Sequence, residues 1–143
     1  MTRRWVSDGV TLPHEVEEAF WNDRLVFFCG AGVSSAEPSK LPSFRGLAED
    51  VARTLGHPEL VPKDPGVPVQ FDVVMGQLHE MSKDVHQRVS SRLEPTVTPN
   101  SYHLDIWRIA AAKGKTPRIV TTNFDLLFEA AAKALGLDPK IHV

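Results

Sequence analysis

The sequence predicts a parallel α/β fold in which a helical insert separates the first two strands. Three observations lead there: two short apolar runs that end abruptly in small or polar residues, helical periodicity between them, and a helix after the second run. The first element is a short helix over Glu15–Trp21, with Pro13 placed to open it and Glu15, Glu17 and Glu18 near the positive end of its dipole. Residues 24–29 (Arg-Leu-Val-Phe-Phe-Cys) form a continuous rather than alternating apolar run, the pattern of a strand buried on both faces of a parallel sheet. Gly30-Ala31-Gly32 ends it, and Ser34–Lys40 reads as a loop. Leu47, Val51 and Leu55 recur at spacing four, an amphipathic helix closed by Gly56. Prolines 58, 62, 65 and 68 mark an irregular connection. Val74, Leu78, Met81, Val85 and Val89 predict helix from Phe71 to Leu93, interrupted near Ser82-Lys83-Asp84 and broken by Pro95 and Pro99. Asn100 and Ser101 offer caps for a helix over Tyr102–Lys113 that Gly114 ends. Arg118–Thr122 is a β-branched second strand, Asn123-Phe124-Asp125 its exit, and Leu126–Leu135 a last helix stopped by Gly136.

Composition narrows the function classes. The 143 residues are 42% hydrophobic and 24% charged, which excludes disorder and leaves room for one domain at most. Sixteen Lys+Arg against eighteen Asp+Glu, interspersed along the chain, give a net charge of −2 and no footprint for a polyanion, so no nucleic-acid partner is expected. Cys29 is the single cysteine, which excludes a disulfide framework and a cysteine-built metal site and fits a reducing cytoplasm. No apolar stretch reaches the about 18 residues of a membrane span, and no signal-peptide core follows Met1-Thr2-Arg3-Arg4, so a cytoplasmic protein without membrane contact is expected.

Three segments can carry chemistry. Gly30-Ala31-Gly32-Val33-Ser34 follows a strand, where a doubly wound fold presents backbone N–H groups to a ligand phosphate and glycine permits close approach. The full G-x-G-x-x-G pattern is absent, since position 35 is serine, and a tight turn explains the same residues. Thr121-Thr122-Asn123-Phe124-Asp125 leaves the second strand. In a parallel sheet the carboxyl ends of neighbouring strands open on one crevice, so two hydroxyls, an amide and a carboxylate converge on the glycine loop. Capping of the last helix by Asn123 or Asp125 is the alternative, and both roles can hold together. In Leu41-Pro42-Ser43-Phe44-Arg45-Gly46, Arg45 can pair with a phosphate or ribose and Phe44 can stack on a flat ring.

In this order the three segments resemble the signatures GAG[IV]S, [IL]PDFR and TQN[IV]D of the sirtuin-like (SIR2) superfamily, over residues 24–130. Pro99-Asn100-Ser101-Tyr102-His103 is similar to the Pro-x-x-x-His that opens a helix before the second strand in that family, where its histidine is structural. The resemblance implies a Rossmann-type NAD site. Gly30, Ala31 and Gly32 would hold the pyrophosphate, with Ser34, Thr121 and Thr122 lining the same crevice. Phe44 and Arg45 would lie on the nicotinamide side, and Asn123 and Asp125 would face the nicotinamide ribose and carboxamide as the catalytic pair.

The departures are specific. Ser43 stands for the usual Asp, Thr122 for the usual Gln, and two extra residues precede Leu41. The TTNFD form resembles divergent bacterial SIR2-like domains, many of which hydrolyse NAD in anti-phage defence. His142 follows Asn123 at about the interval of the family's catalytic histidine but lacks its Leu-His-Gly context, so that histidine is expected beyond Val143. His14, His57, His79 and His86 read as solvated or helix-surface residues. With two strands visible, residues 1–143 read as the incomplete N-terminal part of a SIR2-like NAD-binding domain, with an insert over about 47–113. Further domains of a parent chain and a homo-oligomer are the expected partners. The expected chemistry is cleavage of the bond between nicotinamide and ribose. Water as acceptor makes an NAD+ hydrolase, and an acyl-lysine peptide makes a deacylase. A module that binds NAD or ADP-ribose without turnover is the third reading.

Overall fold

The computed structural model describes residues 12–93 and 98–140. Its elements are α1 (His14–Trp21), β1 (Phe27–Cys29), α2 (Phe44–Thr54), α3 (Phe71–Met81), α4 (Val85–Leu93), α5 (Ser101–Ala110), β2 (Ile119–Thr121) and α6 (Leu127–Ala134), with short 3₁₀ turns at 31–35, 58–60 and 112–114. The fold is mixed α/β and mostly helical, around a two-stranded parallel sheet in the register Phe27↔Ile119, Phe28↔Val120, Cys29↔Thr121. The chain reaches β2 only after four helices, as a parallel pair requires a crossover. Among the described residues no helix is long and apolar enough to cross a membrane.

Local chemistry explains the boundaries. Ser43 caps α2, its Oγ accepting from the Gly46 N–H at 3.1 Å. Gly56 (φ +87°) and Gly136 (φ +69°) lie in the left-handed region just beyond α2 and α6, where a side chain is strained and glycine ends a helix readily. The break expected at Ser82-Lys83-Asp84 is present: Ser82 is extended, and its Oγ accepts from the Asp84 N–H at 3.2 Å. Helix α5 is shorter than its periodicity predicts. It stops at Ala110, and Lys113 turns into the left-handed region (φ 60°) as the chain swings toward β2.

Among the described residues the apolar side chains form two cores. Leu47, Val51, Val61, Val74, Leu78 and Val85 bring α2, α3 and α4 together. Cys29, Trp107, Phe128, Ala131 and Ala132 join the sheet to α5 and α6, and Trp107 Nε1 donates to the Phe128 carbonyl at 2.8 Å. Helix α5 thus falls within the 47–113 segment yet packs with the sheet.

One expectation is corrected. The apolar run at 24–29 is not buried on both faces, because α5 and α6 cover only one. Phe27, Cys29 and Ile119 pack against that layer, while the side chains of opposite orientation stand outside it: Phe28 is 81% exposed and Val120 43%.

Candidate functional site

The site grows from the two strand ends. After β1, Gly30 is extended and residues 31–35 wind into a 3₁₀ turn, closed by Val33 N–H to Gly30 O at 3.1 Å and by Ser35 Oγ–H to Gly32 O at 2.7 Å. This turn rotates Ser34 inward until it is 1% exposed. The Ser34 carbonyl accepts from the Leu41 N–H at 2.9 Å, which returns the second segment to the first. The Asn100 amide donates to the carbonyls of Val33 (2.7 Å) and Ala36 (3.3 Å), fixing the loop to the start of α5. On the other strand, Thr122 N–H continues the pairing to Cys29 O at 3.2 Å, and Thr121 Oγ1 accepts from the Asn123 N–H at 3.1 Å. Asn123 and Asp125 are thereby delivered beside Ser34.

The Ser34 hydroxyl is the centre of a buried knot. Its proton goes to Asp125 Oδ2 at 2.9 Å, and its oxygen accepts from Asn123 Nδ2 at 3.1 Å and from His103 Nε2 at 3.2 Å. One donor and two acceptor positions are all a hydroxyl has, so the side chain is saturated. Asp125 Oδ1 also accepts from the N–H of Leu127, the first residue of α6, at 3.1 Å, so one carboxylate serves the helix start and the site together. His103 is fully buried, and its Nδ1 accepts from the Asn100 N–H at 3.3 Å in a capping box. The same Nδ1 lies 2.9 Å from Asn100 Oδ1. Burial holds the His103 pKa below its ordinary value by disfavouring the imidazolium, with the Asp125 charge opposing in part. Burial likewise raises the pKa of the Cys29 thiol at the end of β1.

Asn123 differs from its neighbours. Its Nδ2 is held by Ser34, which fixes the amide orientation, while its Oδ1 is buried with no hydrogen-bond partner. An orphaned buried acceptor is costly and is rare in folded chains unless a further group serves it.

The three segments line one small cleft. Ala31 and Ser34, Leu41, Pro42 and Phe44, and Asn123, Phe124 and Asp125 surround a volume of about 20 Å³, room for about one water. Phe44 sits 5.4 Å from Phe71 and 6.5 Å from Phe124, centroid to centroid, over the same region.

Other candidates lie differently. Arg45 points to the proline-rich connection, donating to the carbonyls of Pro62 (3.0 Å), Asp64 (3.3 Å) and Val67, with Glu49 Oε1 at 3.4 Å; its donors serve the fold rather than a phosphate. Thr121 and Thr122 are exposed at the strand exit. Gly30 and Gly32 are exposed, and a Cβ at either would meet nothing within 4 Å. Neither has a positive φ, so the tight-turn explanation does not require glycine there. The expected α-helix start behind the loop is replaced by the 3₁₀ turn, and α2 begins only at Phe44, because Leu41 and Pro42 must first return to Ser34. Ser43 caps α2 through its side-chain oxygen, as an Asp at that position would. His142 lies outside the described residues. His79 is a partly buried residue of α3 whose Nδ1 is itself buried. Phe71 completes the aromatic group, and its sequence context signals only the start of a helix.

Comparison with known proteins adds little chemistry. No family model and no solved structure matches the chain. An uncharacterized protein of Sinorhizobium fredii, y4cA, is 33% identical over 126 residues, which cover 85% of this chain and 10% of that protein. The chain therefore spans a small part of the curated relative it matches.

Proposed function

We propose that this chain supplies the Rossmann-type NAD-binding part of a SIR2-like NAD+ hydrolase, with Asn123 as the residue that meets the nicotinamide ribose. The observation that carries this reading is the buried, unpartnered Oδ1 of Asn123, held in a fixed orientation by Ser34 at the point where the exits of both strands meet. A ribose hydroxyl or an attacking water supplies the donor that this oxygen lacks. Two further features agree with it: glycines at positions 30 and 32 that the fold does not demand, and the aromatic group of Phe44 and Phe124 beside the same cleft.

In this reading NAD+ and water give nicotinamide, ADP-ribose and a proton. The pyridinium is already a good leaving group, so the protein has mainly to hold the ribose and orient the water. Asn123 does so without titrating. Asp125 and His103 act through Ser34: together they lock the hydroxyl that locks the amide. Gly30, Ala31 and Gly32 offer backbone to the pyrophosphate, with open space in front of both glycines. Since the cleft admits about one water as it stands, entry of the nicotinamide ring requires Phe44 and Phe124 to separate.

The test is chromatographic measurement of nicotinamide released from NAD+ by the full-length parent protein and by the same protein carrying Asn123→Ala. The expected result is release by the first and a loss of at least about a hundredfold in kcat for the second, with an unchanged melting curve. Undiminished turnover in Asn123→Ala removes this residue from the mechanism. ADP-ribose binding without any nicotinamide release favours a sensing module instead.

A further inference from the structure

A second apolar concavity adjoins the cleft at the exit of β2. It is a groove of about 600 Å³ between α3 and α4, closed at one end by Phe124 and Leu126 of the turn before α6. That volume falls in the range of small-molecule sites. Three observations say what fits it.

The floor is glycine. Gly76 lies in the interior of α3, where glycine costs roughly 1 kcal/mol relative to alanine. Nothing in the fold explains it: its φ is not positive, and a Cβ there would meet no atom within 4 Å. The residue leaves the groove open at a cost to its own helix.

The lining is aromatic and uncharged. Phe71 and Phe124 lie nearly parallel (27°, centroids 6.3 Å apart), and the rings of His79 and His86 meet edge to face at 5.1 Å. Among the described residues that line the groove none carries a fixed charge. Such walls suit a neutral flat ring, through stacking and edge contacts, better than an ion.

One buried polar atom lacks a partner. His79, one turn after Gly76, has its Nδ1 buried without a hydrogen bond. Nδ1 of this groove-lining residue is therefore a buried acceptor left unserved when the imidazole carries its proton on Nε2.

We propose that the α3–α4 groove binds a neutral, flat aromatic molecule carrying a single N–H or O–H, which donates to His79 Nδ1. The ring rests over Gly76 against Phe71 and Phe124. The groove shares Phe124 with the cleft of the NAD reading, but it rests on Gly76 and His79, which that reading does not use, and its test needs no turnover.

Indole is the probe, titrated into the intact chain by calorimetry and by ¹H–¹⁵N NMR, with naphthalene as the ring that lacks a donor. The expected result is saturable indole binding with shifts centred on Gly76, His79 and Phe124. His79→Phe should weaken indole by about tenfold and leave naphthalene unchanged. Gly76→Leu should abolish binding of both while its melting temperature holds or rises, because leucine is the better helix former. Absence of saturable binding at millimolar indole overturns the proposal. Equal affinities for indole and naphthalene overturn the role of His79. Sedimentation that shows a dimer dispersed by Gly76→Leu assigns the groove to a second copy of the chain and overturns it as well.

Discussion

Ser34→Ala removes one oxygen and unmakes three hydrogen bonds, so its cost can be worked from the knot itself. Asp125 loses a donor at 2.9 Å, a bond to a charged acceptor worth about 2 kcal/mol. His103 is fully buried, and its Nε2 is left with no acceptor, which adds about 1–2 kcal/mol. Asn123 is only half-buried and can turn its amide to water at little cost. The sum is about 3 kcal/mol, well above the mean of about 1 kcal/mol for single substitutions, and corresponds to a fall of about 10 °C in Tm for a chain of this length. The control is its neighbour. Ser35 Oγ makes one exposed bond to the Gly32 carbonyl, and Ser35→Ala should cost well under about 1 kcal/mol. Urea denaturation of both variants, read as midpoints at a common slope, measures the difference. A cycle with His103→Gln should return a coupling above about 1 kcal/mol, as expected of groups sharing one hydroxyl. If Ser34→Ala melts like Ser35→Ala, or if the cycle is additive, the hydroxyl does not organise the site and the reasoning fails.

Two predictions follow from the same region. Since burial lowers the His103 pKa in the folded state, the unfolded chain binds more protons between the two values. Stability should therefore fall as pH drops below the ordinary histidine value of about 6.5 and level off below the folded value, and His103→Gln should flatten that decline in urea midpoints; a rise in stability on acidification contradicts the assignment. A Cβ at position 32 meets no atom within 4 Å and φ there is not positive, so the melting curve of Gly32→Val should stay close to that of the parent. If the loop holds the pyrophosphate, calorimetric titration should show NAD bound at least about tenfold more weakly, and unchanged affinity would leave the loop without that role.

The elements most legible in the sequence were those whose signals are local. The break at Ser82-Lys83-Asp84, the Asn100 cap, the glycine stops at 56 and 136 and the parallel pairing of the two apolar runs all stand as the residue pattern indicates. Phe28 departs from the expected burial because a continuous apolar run reports suitability for burial, not what covers each face, and here only one face has helices. Arg45 was assigned by residue type. Its actual partners are carbonyls 17, 19 and 22 positions away, which no local pattern encodes. The convergence of Ser34 with Asn123 and Asp125 was foreseen from topology, but the hydrogen-bond order within it was not, because saturation of a hydroxyl depends on distances of tenths of an ångström. The α3–α4 groove had no sequence signal except Gly76 within a helical period.

The separation between paired residues also sets an order of events in folding. Ser34 meets Asn123 and Asp125 across 89 and 91 positions, and β1 meets β2 across a comparable span, whereas α2, α3 and α4 assemble from neighbouring segments. Closing a long loop costs entropy that no contact repays until the ends have met. The α2–α4 cluster should therefore gain amide protection first in pulsed hydrogen exchange, and the sheet and the Ser34 knot later and together; simultaneous protection of both would speak against this order. The candidate chemistry is then among the last parts of the chain to form, and a destabilising change anywhere in the late-closing layer is felt at Asn123 while the helical cluster is still intact.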